Sequence, residues 1–394
     1  MHFSRRFGWA TGLLFFAVLS CRLYAQDSIE EIGAQAEQLE REGQPRRAVE
    51  LYRHILLVDP TSLAALNHLG ALYVGQGQFS KGIVYYRKAL SLKPKDFSSN
   101  LNLGIAYIKT QHYKLAAPPL KRAVQSDPTS LQAHSLLAIS LIGQEDYSRA
   151  VPELELIENF NPRDVGNLYL LSRCYLQTKQ FEKAFVSFKH LEAAGPSSPW
   201  LHMLKGEAYD GLADYEKSID EFKAAVQQQP DDPTARFSLG FMYWKVQRFA
   251  DAEGELKRAL ELDPNFREAK FYLADAYITD LKPRDAVPLL EALVKEDPSY
   301  VRARLDLGKA FATTNRYEDA ARELEAAISL DPDRADAHYQ LARVYRHLNQ
   351  LVKSQHELEI TKRLHVRKLE QEESVMSAIG TRRDATQQVD LSPK

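Results

Sequence analysis

The sequence predicts an all-α solenoid: about ten stacked helix hairpins, closed at the C-terminal end by a long helix. Three observations predict it. Pro60, Pro94, Pro128, Pro162, Pro196, Pro230, Pro264, Pro298 and Pro332 stand 34 residues apart, so nine of the chain's 18 prolines share one register. Each interval holds two helical patterns, as in Thr234–Val246 and Ala250–Leu262, where Ala252, Leu256, Ala259 and Leu260 make an apolar stripe. Small residues keep the same step at Gly70, Gly104, Ala138, Ser172, Gly206, Gly240, Ala274, Gly308 and Ala342, each followed three positions later by a large residue, mostly tyrosine. Such slots let two helix backbones approach closely while the large side chain fills the space beside them.

Ahead of the array, Met1–Ala25 has the pattern of a targeting segment. Arg5 and Arg6 precede Phe7–Ser20, an uncharged and mostly apolar run of 14 residues, short for a membrane-spanning helix but typical of a signal-peptide core. Cleavage after Ala25 would leave Gln26 as the terminus. A competing fate is lipidation: Val18-Leu19-Ser20-Cys21 resembles a bacterial lipobox, which would make Cys21 a lipid anchor. The expected location is outside the cytoplasm, periplasmic or secreted, with membrane contact only through that lipid or an uncleaved signal. After cleavage at Ala25 only Cys174 remains, so no internal disulfide is expected, and its place in a first helix suits a small buried residue.

Residues 26–62 form a weak first repeat, 63–334 eight clear ones, and 335–376 the last repeat with its capping helix; 377–394 is a polar tail expected to be disordered. Val366 stands where the last periodic proline would fall, so the final helix is predicted from Leu351 to about Met376. Pro118, Pro119, Pro152 and Pro288 fall near the starts of second helices, where early N–H groups lack intrahelical partners. Gly195-Pro196-Ser197-Ser198-Pro199 is the most turn-rich junction and a candidate bend.

A period of 34 with Leu-Gly, Tyr, Ala and Pro at fixed offsets resembles the tetratricopeptide repeat (TPR) from Ile29 to about Val366. The resemblance implies a right-handed superhelix whose first helices line a concave groove for protein or peptide segments. Three slots on each first helix point the same way. Their character changes along the chain. Leu101, Ile105, Ile108, Ile139 and Ile142 make an aliphatic early part, followed by Tyr169; Phe237, Phe241, Trp244 and Phe271 make an aromatic middle; Lys309, Arg343 and Arg346 make a charged end. An apolar strip of this kind suits a partner's helix or extended segment. The family's chaperone-tail binders share a carboxylate clamp of lysine, asparagine and arginine; Asn67, Ala71 and Asn102 stand at the matching early positions here, without the lysine–asparagine pair. Chaperone-tail recognition is therefore not expected.

Nothing points to catalysis. The formal net charge of −2 gives no reason to expect nucleic acid as a partner. His134, His202 and His338 share one repeat slot, so their spacing is that of the repeat rather than of a metal site. Phosphate-cradling loops, CxxC pairs, HExxH helices and GxSxG elbows are missing, and no cofactor is implied. The expected function is an exported, non-enzymatic scaffold for bacterial envelope assembly or secretion; the alternative is an accessory subunit that positions an envelope glycan synthase or transferase.

Overall fold

The register of prolines is a register of helix ends. In α2 (Pro45–Val58) the chain stops at Asp59, whose Oδ1 accepts the Thr61 N–H at 2.9 Å and turns the backbone across Pro60. Asp127, Asp263 and Asp297 do the same for Thr129, Asn265 and Ser299. The next first helix then starts on a capping side chain: Ser62, Asp96, Ser130, Asp164 and Asp232 each accept a first-turn N–H. Such a cap stabilises a helix by about 1 kcal/mol.

The structure, a computed structural model, describes residues 29–195 and 198–389. The leader expected over Met1–Ala25, with Cys21, and two residues of the turn-rich junction lie outside them. All twenty described helices pair into hairpins, and the chain divides into two units at Pro196/Ser197. The first unit contains α1 (29–41), α2, α3 (Leu63–Gly75), α4 (Phe79–Leu92), α5 (Phe97–Lys109), α6 (Tyr113–Ser126), α7 (Leu131–Ile142), α8 (Tyr147–Phe160), α9 (Val165–Gln177) and α10 (Phe181–Ala194). The second contains α11 (Pro199–Gly211), α12 (Tyr215–Gln228), α13 (Pro233–Lys245), α14 (Phe249–Leu262), α15 (Arg267–Thr279), α16 (Pro283–Glu296), α17 (Val301–Thr313), α18 (Tyr317–Leu330), α19 (Ala335–His347) and α20 (Leu351–Val389).

Inside every hairpin one residue takes the left-handed conformation. It is glycine at Gly43 and Gly77, and elsewhere a non-glycine residue with φ between 56° and 63°, such as Gln247 or Leu281. The left-handed residue lets the closing hydrogen bonds form: Gln247 N–H to Trp244 O at 3.0 Å and Arg248 N–H to Tyr243 O at 2.8 Å. This pair satisfies carbonyls that the end of α13 would otherwise leave bare.

The small slots are close contacts, as the sequence predicts. A Cβ built on Gly70 would lie 2.4 Å from the Tyr86 ring, on Gly206 2.5 Å from Phe222, and on Gly308 2.6 Å from Leu324. Cys174 is buried, and burial pushes its thiol up to about 11.

Two expectations need correction. Pro118 and Pro119 lie within α6, Pro152 within α8 and Pro288 within α16, each more than a turn from the helix start. Each therefore removes a helical hydrogen bond that the hairpin's packing must offset. The last helix does not stop near Met376 but runs to Val389. Between those residues only Gly380 opposes helix, at a cost of about 1 kcal/mol, and no proline intervenes before Pro393.

The shared histidine slot has a structural role that the spacing alone did not show. His134 Nδ1 lies 2.5 Å from Glu153 and its Nε2 3.1 Å from the Pro128 carbonyl. His338 bridges Glu357 and Pro332 O in the same way, at 2.5 and 3.0 Å. Arginine does this work in other repeats: Arg304 donates to Pro298 O at 2.7 Å and to Glu323 at 2.6 Å. The slot ties the turn before a hairpin to that hairpin's second helix.

Candidate functional site

Within each unit, successive first helices pack on one another as well as on their own partners: α3 on α5 and α5 on α7 in the first, α13 on α15, α15 on α17 and α17 on α19 in the second. This closeness puts the first helices on the inner side of each stack. Side chains on the free faces of these helices therefore form a wall along α3–α7 in the first unit and along α13–α19 in the second.

In the first unit that wall is aliphatic. Ile105 and Ile108 on α5 and Ile139 and Ile142 on α7 are half-buried. Leu101 is buried between helices and drops out of the exposed face. Asn67, the early polar slot, is used internally: its Oδ1 accepts the Ser99 hydroxyl at 2.8 Å. On α9 the half-buried Tyr169 carries the Arg173 guanidinium 5.9 Å from its ring centroid, a cation–π contact.

The second unit gathers its aromatics into one cluster. Along α13, Phe237 stacks on Phe241 with centroids 6.1 Å apart, and Phe241 on Trp244 at 5.7 Å. Tyr272, from α15, meets both Phe241 and Trp244 edge-on, with centroids 4.8 Å away in each case. Pairs in these geometries add about 0.5–1.5 kcal/mol each beyond their buried area. All four rings are half-buried, so the cluster is cohesive yet still presents ring surface to solvent.

Polar contacts fix the cluster's orientation. Trp244 Nε1 donates to Asp275 Oδ2 at 2.6 Å across to α15. Lys245 Nζ pairs with Asp210 at 2.5 Å and sits 6.0 Å from the Phe241 ring centre. Further along, Asp306 on α17 is almost fully buried; burial pushes its carboxyl above the usual range, against the pull of Lys309 Nζ at 2.8 Å. Phe271 is a second correction: only 1% exposed, it lies in the hydrophobic core between repeats, capped by Tyr300 and by the Arg302 guanidinium at 4.5 Å. At the end of the wall, Arg343 and Arg346 on α19 are exposed; Arg343 bonds the neutral Gln340 at 3.3 Å.

Sequence reasoning missed Tyr272. It stands next to the slot residue Phe271, and the two share one helix edge; the bulky slot residue turns inward and its neighbour takes the wall. Two adjacent aromatics at that point of the repeat were the available signal. Among the described residues no group of three or more His, Cys, Asp or Glu side chains is placed to hold a metal ion, and no helix is long and apolar enough to cross a membrane.

The sequence matches the tetratricopeptide repeat family over residues 63–96, 135–199, 203–265, 242–280 and 274–324, and a TPR repeat family over 308–348. No curated protein matches it. Solved structures that resemble it include MamA, residue 41 to the end, from Desulfovibrio magneticus RS-1, at 19% identity and TM-score 0.42, covering 43% of this chain and 96% of that one. Another is a MamA crystal form designated MSR-1 C2, at 20% identity and TM-score 0.40, covering 43% and 98%.

Proposed function

The chain belongs to the tetratricopeptide repeat family, a protein-interaction scaffold, and we propose on that premise that it holds a partner segment on the inner wall of its second unit. The observation that carries this reading is the cluster of Phe237, Phe241, Trp244 and Tyr272. The four rings pack against the core residues Leu239, Met242 and Phe271 on one side and keep part of their surface open to solvent on the other, where a partner's apolar side chain can lie. Large aromatics are also the side chains on which binding energy concentrates. The first unit's isoleucine strip is a second, shallower contact surface for the same kind of partner.

Export is part of the proposal. Arg5 and Arg6 followed by the apolar run Phe7–Ser20 support a scaffold acting outside the cytoplasm, in envelope assembly or secretion. The mass of the mature N-terminal peptide checks it: a chain starting at Gln26, or at a lipidated Cys21, agrees with export, whereas an intact cytoplasmic Met1 contradicts it.

Partner binding is tested by quantitative affinity capture in the source cells, comparing the tagged wild type with a Phe241→Ala/Trp244→Ala variant. One or a few proteins should be depleted about tenfold or more in the variant, since each ring is worth on the order of 1–2 kcal/mol at a binding hot spot. An unchanged set of captured proteins, with the variant still folded by circular dichroism, would exclude this wall.

A further inference from the structure

Among the described residues the cations at the far end of the second unit's inner wall lack carboxylate partners, and they say what kind of segment it takes. Before that end the charged side chains are engaged: Lys245 with Asp210, Lys309 with Asp306, and Asp275 with the Trp244 N–H. Its last two cations are not. Arg343 touches only a neutral amide, and Arg346, exposed on the same face of α19, has no carboxylate partner among the described residues. An apolar platform thus gives way to two uncompensated guanidiniums, whose planar donor forks match carboxylates bidentately.

We infer that the occupant is an extended acidic segment with one large apolar side chain as its anchor, the anchor seated on Phe241 and Tyr272 and the carboxylates on Arg343 and Arg346. This rests on the reading of the inner wall given above and adds the chemistry of the ligand. The spacing follows from the fold. From α15 to α19 is two hairpin steps, about 20 Å if neighbouring first helices pack about 10 Å apart. An extended chain covers that in about six residues. Anchor and acidic pair should therefore be separated by about that number. Between them, Ile278 and Ala312 supply a half-buried apolar floor, beside the Lys309–Asp306 pair.

The test is selection of a phage-displayed library of random dodecapeptides against the full chain, with the winners remeasured as synthetic peptides by fluorescence anisotropy. The expected winners carry an aromatic or large aliphatic residue about six positions from a pair of Asp or Glu. Their binding should be lost with Phe241→Ala and weakened about tenfold by Arg343→Glu/Arg346→Glu, a change at exposed sites that should leave the fold intact. It should also weaken as salt is raised. Winners that need Phe241 but are neutral or basic would overturn the acidic inference and leave the wall as a binding surface. Winners indifferent to Phe241→Ala, or no enrichment at all, would overturn both.

Discussion

The tightest test of the packing is a pair of glycines in one hairpin. Gly240 faces α14 from α13: a Cβ there would lie 2.8 Å from Leu256 Cγ and 3.2 Å from the Leu256 backbone nitrogen. Carbon atoms rest about 3.5–4.0 Å apart, so the shortfall is roughly 0.7 Å or more, against the root of a side chain and a backbone atom. Overpacking of this kind costs about 1–3 kcal/mol, while replacing a helical glycine by alanine returns up to about 1 kcal/mol. Gly240→Ala should therefore be neutral to destabilising by about 2 kcal/mol, and Gly240→Leu, with three more carbons and no room, should lose about 3 kcal/mol or more. Gly254 on α14 is the control, because a Cβ there meets nothing within 4 Å. Gly254→Ala should stabilise by about 0.5–1 kcal/mol. Urea unfolding followed by circular dichroism measures the totals, and hydrogen exchange in α13 and α14 shows whether the loss is local, as a repeat array allows. A Gly240→Leu protein that unfolds like the wild type would refute the close-contact reading.

Two further outcomes follow from polar groups. Asp306 has a carboxyl raised by burial, so the folded state holds its proton more tightly than the unfolded chain does. The stability this gives is present below the ordinary carboxylate range and lost as pH rises through the raised value. Asp306→Asn should accordingly gain stability relative to wild type between about pH 4 and pH 7.5; melting curves at the two pH values check the sign, and a gain that shrinks with pH contradicts it. In the bridging slot, His338→Arg should be tolerated, because Arg304 makes the equivalent bonds to Pro298 O and Glu323. His338→Leu leaves Glu357 and the Pro332 carbonyl without their donor and should cost about 1–3 kcal/mol, read by thermal melting.

The helical architecture was legible because its signals are local and repeated. A proline after each second helix, a small residue at each crossing and an aromatic beside it are each dictated by backbone sterics, and they recur often enough to exclude chance. What the pattern concealed was the environment of individual slots. Leu101 and Phe271 occupy positions equivalent to Phe237, yet they are buried while Phe237 is not, because the neighbouring repeat decides how much of a slot is covered. Tyr272 became a wall residue for the same reason. Pro118, Pro119, Pro152 and Pro288 lie a few residues past a helix's free first turn, in its hydrogen-bonded interior. That difference is smaller than the precision with which a sequence pattern fixes a helix start. The histidine spacing marks a repeat slot and no more; the bridge that His134 and His338 make between a glutamate and a proline carbonyl depends on how the turn folds back on the hairpin.

The central claim is that the Phe241 surface meets a partner. Site-specific photo-crosslinking in the source cells addresses it most directly, with a photoreactive residue at Phe241 and a control at Gln228, an exposed position on the second helix of the preceding hairpin. A discrete adduct at Phe241 and none at Gln228, with the crosslinked peptide identified by mass spectrometry, is the predicted result. Equal adducts at both positions, or adducts only at Gln228, would contradict the claim and place the interaction on the outer helices.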